Sequence, residues 1–551
     1  MTALIGRLRG ALDQAMLERV GLLAILAVAT ILRFVDLPTR GTFDADQGHD
    51  MLVLHDLVAR GQIPLLGPPT SIGDFHHGVL YYFLLAPAAW LSGSDPLAVT
   101  AEIAVAGVMA VAVVWWLARS IGGPAAGFVA ALLMAVSASA VDESTFIWNP
   151  NLIALTSAVA LAAAWRAWSS GRAAWWIVAG AGAIATMHCH VLGSIVLVPI
   201  GGLLLADARR RGPGAERRAV MRAGGWVLLL LVLSYVPLAI HELGSDFSET
   251  RAALAFIAGG GGPSGVSLPV RFGIVAWRVL AWPLTGLITD APAPAMLATV
   301  LVVVSLGWRA NKASGATDAE RTAVRWFALS LAWTVVALTV AASGLAEVVR
   351  GLPNDHYHAF ADPIVFVVVG LGIAGLARSA GRTRSAGESR SGPASAAPDR
   401  VGRRALGSTG IGVWAAIGLT VAIAGFNLTR QPPAVAFDGG WPAAELAAGR
   451  IVLAAGERPI RLASLPTFKS TEAMAFPLLR LGRPAETLAA DPAQRSADDA
   501  TVILCDTLFT FAIGADCGGP AEDATVAGTG VSLADRFEAA PGRWVSIYLP
   551  G

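Results

Sequence analysis

The fold is decided by the stretch Gly41-Thr42-Phe43-Asp44-Ala45-Asp46-Gln47-Gly48-His49-Asp50, which follows a long apolar run over residues 17–35. The run is long enough to cross a membrane, and three aspartates and a histidine come just after it. Elsewhere the chain avoids charge: 14% of its 551 residues are charged and 55% are hydrophobic, whereas a soluble domain carries about 25% charged residues. We therefore predict an all-α polytopic membrane protein with a polar site at the membrane surface.

The apolar runs set the topology. A spanning helix needs about 20 mainly apolar residues, and the apolar run near the N-terminus shows no small-residue cleavage site, so it is predicted to stay as a membrane helix. Eleven spans are predicted, at residues 17–35, 98–118, 124–141, 151–168, 173–189, 191–207, 224–241, 293–308, 326–345, 361–377 and 408–426.

Basic loops orient these spans, because cytoplasmic loops carry an excess of Lys and Arg. The N-terminus and the loops 208–222, 309–325 and 378–407 are arginine-rich. All of them are cytoplasmic if two shorter or interrupted apolar stretches, 77–93 and 269–290, are interfacial or re-entrant helices on the outer side. The four polar segments that then lie together outside the membrane are 36–97, 142–150, 242–292 and 346–360.

The last part of the chain differs in composition from residues 1–427, the predicted membrane domain. Residues 428–551 are rich in Pro, Gly and Asp and are predicted to form a small extracytoplasmic α/β domain. Its β-like runs are Ile451–Ala455, Ala500–Leu504 and Trp544–Leu549. A bridge between Cys505 and Cys517 is one option there, since that compartment permits disulfides. The cytoplasmic loop 378–407, rich in Arg, Ser, Gly and Ala, is predicted to be disordered.

The acidic stretch is the first candidate for chemistry. It lies in the long loop 36–97, and long structured loops between helices tend to be functional. A carboxylate near the membrane can accept a proton from an incoming hydroxyl or amine. The alternative is a solvated loop near the lipid headgroups. Asp142 and Glu143, in the next outer loop, face the same side and form a second acidic candidate.

A third candidate is the segment Arg350 to His358, before the tenth span. Arginine, histidine and tyrosine side chains can neutralise and hydrogen-bond a phosphate; the alternative is an aromatic belt with an arginine that extends to the headgroups. The histidines of the outer loops could also bind a metal, but no HxxxH-like spacing supports this. No cofactor and no metal are predicted, with a divalent metal left open. The net charge of +1 and the lack of a basic arm give no sign of a nucleic-acid partner.

Over residues 1–377 the chain resembles the GT-C class of membrane glycosyltransferases, which includes protein O-mannosyltransferases, lipid A aminoarabinose transferases and the catalytic subunit of oligosaccharyltransferase. Phe43–Asp50 is similar to the acidic motif of the first external loop in that class, with Gln47 in place of its usual glutamate. His76–Tyr82 is similar to a juxtamembrane segment in which His77 replaces a lysine. Asp355–Pro363 is similar to a His-Tyr motif near the donor phosphate.

The resemblance implies an inverting glycosyltransferase that moves a sugar from a polyprenyl-phosphate donor to an extracytoplasmic protein, lipid or glycan acceptor of the cell envelope. Asp46, or secondly Asp44, is the implied base, and Asp142 with Glu143 is the implied second acidic site. The implied ligands of the lipid phosphate are His77, Arg350, His356, Tyr357 and His358. The implied location is the inner or plasma membrane, with the N-terminus in the cytoplasm.

Two other functions stay open. A transporter or flippase would use similar spans without covalent chemistry, but transporters usually show internal repeats and charges at the membrane midplane, which this sequence lacks. A member of the class that only binds a lipid-linked sugar is the second alternative, because Gln47 departs from the acidic motif.

Overall fold

The computed structural model describes residues 2–70, 74–259, 265–346, 356–388, 402–467, 469, 471–491, 495–496 and 498–551. These residues form helices and one sheet. The helices are α1 (Thr2–Phe34), α2 (Leu37–Arg40), α3 (Ala45–Arg60), α4 (Leu80–Ser92), α5 (Pro96–Gly122), α6 (Pro124–Val136), α7 (Ala138–Asp142), α8 (Ile153–Ser170), α9 (Ala174–Cys189), α10 (Leu197–Arg210), α11 (Ala215–Ser234), α12 (Val236–Gly244), α13 (Ser248–Ala258), α14 (Leu268–Thr285), α15 (Pro292–Ala310), α16 (Asp318–Ala341), α17 (Asp362–Glu388), α18 (Gly402–Leu428), α19 (Gly440–Ala455), α20 (Glu472–Arg480), α21 (Thr510–Ile513) and α22 (Pro520–Val526). The strands are β1 (Ile460–Leu465), β2 (Glu486–Thr487), β3 (Ala500–Asp506), β4 (Val531–Ala540) and β5 (Arg543–Pro550).

Nine helical segments of the described chain are long and apolar enough to cross a membrane. Each coincides with one of the eleven predicted spans. The other two predicted spans correspond to shorter apolar helices, α6 with 13 residues and α9 with 16. The stretch predicted to be interfacial at 77–93 forms the 13-residue α4, and the second such stretch forms α14, which contains Pro283. The chain is a multi-pass membrane protein.

The centre of the helical bundle is the span at 357–378, which is almost wholly buried within the protein. Small residues let its neighbours approach closely, as is usual where membrane helices pack. A Cβ atom added at Gly370 would lie 2.7 Å from the carbonyl oxygen of Ala126, and one at Gly372 would lie 2.2 Å from Oγ of Ser305. Larger side chains at either glycine would push the central helix away from α6 or α15.

A buried arginine secures the C-terminal end of the first span. Arg33 is fully buried, and its guanidinium donates to the carbonyl oxygens of Ala135 at 3.0 Å, of Met134 at 3.4 Å and of Ala140 at 3.3 Å. These carbonyls include two at the C-terminal end of α6, where they lack partners within the helix. The C-terminal end of α1 is thereby held against the end of α6 and against α7.

The chain after α18 forms a five-stranded mixed sheet in the order β2-β1-β3-β5-β4. The central strand β3 is buried along its whole length and pairs in parallel with β1 and antiparallel with β5. Helices α19 and α20 pack against the sheet through Ile451, Met474 and Leu478. The predicted α/β character and the strands predicted at 500–504 and 544–549 are confirmed. Cys505 and Cys517 form a disulfide.

Two predictions for the second half of the chain differ from the structure. The run 451–455 is the end of α19 and not a strand, because Trp441, Ala444 and Ala448 extend its buried face at helical spacing. The described ends of the loop predicted to be disordered, 378–388 and 402–407, continue α17 and begin α18. Their Ala and Arg residues favour helix. Residues 389–401 lie outside the described chain.

Candidate functional site

The acidic stretch at residues 41–50, here called the acidic loop, takes its shape from the start of α3. Asp44 occupies the N-cap position, and its backbone N–H donates to Oε1 of Gln47 at 2.9 Å. The amide nitrogen of Gln47 in turn donates to the carbonyl oxygen of Ile147 at 2.7 Å. Gln47 therefore ties the acidic loop to the segment 142–150, which contains Asp142. This capping arrangement places Asp46 in the first turn of the helix, with its carboxylate on the open side.

The C-terminal α/β domain, residues 428–551 and here called the soluble domain, also contacts Asp44. Nη2 of Arg543 donates to Asp44 at 2.7 Å, and the same guanidinium contacts Asp506 at 2.8 Å. Nζ of Lys469 forms a second ion pair with Asp44. Burial by itself would raise the pKa of Asp44, but Arg543 and Lys469 bring that pKa below its ordinary value. Asp44 is thus ionised and engaged by two cations of the soluble domain.

Helix α3 and helix α20 of the soluble domain are in direct contact beside the acidic loop. A Cβ atom at Gly48 would lie 2.0 Å from the carbonyl oxygen of Glu472, so only glycine allows this approach. At the next residue of α3, Nδ1 of His49 and Oε1 of Glu472 are 2.9 Å apart. Burial would lower the pKa of His49, but the hydrogen bond to Glu472 and nearby negative charges raise it. The soluble domain therefore forms part of the wall around the acidic loop.

A cavity of about 590 Å³, here called the first cavity, opens beside Asp46. All four polar segments predicted to gather outside the membrane contribute to its lining, through Asp46, Trp148, Phe256 and Tyr357. Its other lining residues are Ala45, His49, Asp50, Pro68, Pro69, Thr70, Phe75, His77, Asn149, His190, Val191, Leu192, Ala341, Lys469 and Glu472. The predicted convergence of these segments on one site is present in the structure.

A second cavity, of about 620 Å³, also borders Asp46. It is bounded by the end of the last span at Arg430, by Trp282 of α14 and by Phe509 of the soluble domain. Its lining includes the acidic side chains Asp142 and Asp290, the aromatic side chains Phe146 and Phe437, and the basic side chain Arg40. Asp46, Trp148 and Lys469 line both cavities.

Asp46 is the carboxylate that both cavities share. It is an exposed residue, and its accessible surface faces the cavities because the surrounding loops enclose it. This enclosure and the charge of Asp44 raise the pKa of Asp46, while Lys469 and His49 counteract part of the rise. A carboxylate with a raised pKa, open to two separate spaces, has the properties of a general base in its ionised form.

Asp50 lies deeper in the first cavity and has a structural role. Its carboxylate accepts hydrogen bonds from the hydroxyl groups of Tyr81 at 2.7 Å and Tyr82 at 3.0 Å. Burial raises the pKa of Asp50 to about 7, and the bond from Tyr81 opposes the rise. The three side chains join α3 to α4 and fix the floor of the cavity.

The predicted phosphate ligands are divided by the structure. His77 and Tyr357 line the first cavity. His358 is fully buried, with Nδ1 3.4 Å from Oδ1 of Asp362, and does not belong to the lining of either cavity. Arg350 and the side chain of His356 lie outside the described residues. Their predicted roles in binding phosphate stay predictions.

The structure also separates the two acids Asp142 and Glu143, which were predicted to form a second acidic site. Asp142 lines the second cavity, where burial raises its pKa to about 6 against the opposing charge of Arg40. Glu143 does not line it, and burial together with Asp362 raises the pKa of Glu143. Within the described part of the chain, no group of three or more His, Cys, Asp or Glu side chains could hold a metal ion.

Several residues at the site were not predicted from sequence. His190 lines the first cavity, and its ring lies 4.6 Å from that of His77 and 5.5 Å from that of Tyr357, centre to centre. Its position at the break between two apolar runs was a usable signal. Lys469, Glu472 and Arg543 reach the site from the soluble domain, and no local pattern in their neighbourhood marks them.

Comparison with known proteins gives one family model and several solved structures. Residues 76–237 match the model described as dolichyl-phosphate-mannose-protein mannosyltransferase. No curated protein matches the chain in sequence.

The crystal structure of ArnT from Cupriavidus metallidurans bound to undecaprenyl phosphate has a TM-score of 0.56 and 14% identity, covering 95% of this chain and 97% of ArnT. The apo form of ArnT gives a TM-score of 0.53 at 13% identity, with the same coverage. An oligosaccharyltransferase from Archaeoglobus fulgidus, in complex with Zn and sulfate, gives a TM-score of 0.45 at 12% identity, over 88% of this chain and 68% of that one. The likeness to ArnT includes both the membrane spans and the soluble domain, and it confirms the predicted fold class.

Proposed function

We propose that this chain, a GT-C membrane glycosyltransferase by fold, transfers a sugar from a polyprenyl-phosphate donor to an acceptor at the outer membrane surface. The matching family model is described by a dolichyl-phosphate-mannose donor, and ArnT has been crystallised with undecaprenyl phosphate. Both names contain a polyprenyl phosphate, and we propose the same class of donor lipid for this chain. The acceptor is a protein, a lipid or a glycan.

The observation that carries the proposal is the position of Asp46 between two cavities. A glycosyl transfer brings a donor and an acceptor to one reacting carbon, so it needs two spaces that meet at a catalytic group. The first cavity, next to His77 and Tyr357, is assigned to the donor phosphate and sugar. The second cavity, next to Asp142, is assigned to the acceptor.

The proposed reaction is a single displacement at the anomeric carbon. Asp46 takes the proton of the acceptor hydroxyl or amine, whose oxygen or nitrogen forms a new bond to that carbon. The bond between the carbon and the phosphate oxygen breaks, and its electron pair stays on the polyprenyl phosphate. Inversion at the anomeric carbon follows, since attack and departure occur on opposite faces. Asp44 holds the acidic loop in place through its ion pair with Arg543.

The remaining predicted residues have assigned places in this proposal. Asp142 orients the acceptor from the wall of the second cavity. Glu143, His358 and Asp362 form a buried group behind that wall and act by positioning the central span. Arg350 and His356 stay candidates for the donor phosphate. The site faces the extracytoplasmic side, with the N-terminus in the cytoplasm. No metal is proposed to take part.

Donor binding gives the first test. The full-length protein is purified in lipid nanodiscs, and the lipids that copurify are extracted and identified by mass spectrometry. We expect a polyprenyl-phosphate-linked sugar among them and stoichiometric binding of added undecaprenyl phosphate in native mass spectrometry. The identified lipid is then supplied with membrane extract as the source of acceptor, and release of polyprenyl phosphate is measured. Binding of the lipid without release supports the alternative of a non-catalytic binder, and the absence of both contradicts the proposal.

The pH dependence of release gives a second prediction. Because Asp46 acts as a base only when ionised, release should be constant at high pH and fall as pH drops through the pKa of Asp46. Since that pKa is raised, the fall should begin above the ordinary aspartate range, with about a tenfold loss per pH unit below it. The measurement is kcat/KM for release between about pH 4 and about pH 9. A rate that stays flat to the acid end contradicts the role of Asp46.

A further inference from the structure

The donor phosphate needs a positive charge that the membrane loops do not supply in the described part of the site. A sugar-linked polyprenyl phosphate carries one negative charge, and the lipid phosphate left after transfer carries up to two. Asp46, Asp50 and Glu472 already make the first cavity acidic. The charge of Glu472 is matched by His49 at 2.9 Å. An incoming phosphate therefore meets repulsion unless another cation faces it.

His77, which stands where the sequence resemblance has a lysine, does not act as that cation. Its Nδ1 atom accepts a hydrogen bond from the backbone N–H of Val191 at 3.3 Å. Burial, followed by the neighbouring His190 and His76, places the pKa of His77 well below its ordinary value. The ring is neutral near pH 7 and offers the phosphate at most one N–H. Arg278 is not among the residues that line the first cavity, and its Nη1 atom donates to the carbonyl oxygen of Leu345 at 2.6 Å.

Lys469 is the one Lys or Arg among the described residues that line the first cavity. It comes from the connection between β1 and α20 of the soluble domain, and a quarter of its side chain is exposed. Its Nζ atom pairs with Asp44 and lies 5.0 Å from the ring centre of Phe509. Asp44 would not become an unpaired buried charge if Lys469 turned toward a ligand, because Arg543 also contacts it at 2.7 Å.

The amino-acid usage of the chain points to the same residue. Of its 40 Lys and Arg residues, two are lysines, Lys312 and Lys469. Arginine thus serves almost every other cationic position. A lysine has a compact charge on a flexible stem and can move between two anions, whereas the guanidinium of arginine is suited to fixed, two-point contacts. The ammonium group of Lys469, which borders both cavities, is suited to moving between two anions.

We infer that Lys469 neutralises the donor phosphate in the first cavity, so that the soluble domain supplies part of the active site. The inference rests on the proposed function. When the phosphate ester bond breaks, the electron pair goes to the phosphate oxygen and its negative charge increases by one. A cation within reach of that oxygen favours the departure of the lipid phosphate. Lys469 binds the product more tightly than the donor for the same reason.

The two lysines allow a test on the unaltered protein. The full-length protein in nanodiscs is treated with formaldehyde and a borane reductant, which methylate amines, and both lysine-containing peptides are followed by mass spectrometry. With undecaprenyl phosphate at ten times its Kd, about nine-tenths of the sites are filled, so methylation of Lys469 should slow about tenfold. Lys312 serves as the internal control and should be methylated at an unchanged rate. It is exposed and lies in the predicted cytoplasmic loop 309–325.

Variants provide the second readout. Lys469→Met should weaken binding of undecaprenyl phosphate by about 10- to 100-fold, the loss expected for a charged hydrogen bond. Lys469→Arg should restore most of that affinity, and Lys312→Met should bind as the parent protein does. If the parent protein binds the lipid phosphate while Lys469 stays equally reactive and Lys469→Met binds normally, the inference is overturned and the proposed function stands. If the parent protein binds no undecaprenyl phosphate, both are overturned.

Discussion

Replacement of Asp46 by asparagine should lower the rate of polyprenyl-phosphate release by about 10²- to 10⁴-fold, the usual contribution of a general base. Asparagine has the same shape but cannot take a proton from the acceptor. The variant should fold at least as well as the parent, because it removes a negative charge that burial and Asp44 disfavour. Binding of undecaprenyl phosphate should be retained. The loss is therefore expected in kcat and not in donor affinity.

The matched control lies on the same helix. Asp56 is near the C-terminal end of α3 and pairs with Arg60 at 2.9 Å, outside both cavities. Asp56→Asn makes the same chemical change and should release polyprenyl phosphate at the parental rate. Asp44→Asn tests the second candidate base. Normal release in both Asp46→Asn and Asp44→Asn would exclude both aspartates as the base and contradict the proposed mechanism.

The second large effect is expected on stability, from Arg543→Met. The guanidinium of Arg543 is buried and contacts Asp44, Asp506 and the carbonyl oxygen of Phe43. Methionine keeps much of the volume but leaves two buried carboxylates without this partner. Removing one member of a buried ion pair costs about 3–5 kcal/mol. We expect a lower denaturant midpoint and earlier proteolysis of the soluble domain, together with loss of activity as the acidic loop shifts.

Arg450→Met is the control for Arg543→Met. Arg450 is on the surface of the same domain, where it pairs with Asp535 at 2.7 Å. Surface ion pairs contribute little to stability, so this variant should unfold at nearly the parental denaturant concentration. An equal loss of stability in the two variants would show that the contacts of Arg543 with the acidic loop stabilise the protein no more than a surface ion pair does.

Much of the fold was predictable because a long apolar run enters the membrane, where its backbone hydrogen bonds can be satisfied only within a helix. A run such as 361–377 has no water to satisfy its peptide groups in a bilayer, so it must be helical. The soluble domain was harder. The apolar run 451–455 is short enough to fit a strand or a helix end, and only its packing against the sheet decides between them.

The site was predictable only in part, for a related reason. The acids of the first loop are visible as a local cluster, and so is the tyrosine before the tenth span. Their partners are not local: Lys469 lies 425 residues from Asp44 along the chain, and Arg543 lies 499 residues from it. Single charged residues on a soluble domain look like ordinary surface residues in the sequence. Only the folded arrangement shows that they face the membrane domain.

The most direct measurement is a cryo-electron microscopy structure of the full-length protein with undecaprenyl phosphate bound. We predict the phosphate in the first cavity, within hydrogen-bonding distance of Lys469 and on the same side of Asp46 as His77 and Tyr357. A phosphate bound instead in the second cavity, or at the arginines of the 213–222 segment, would contradict it.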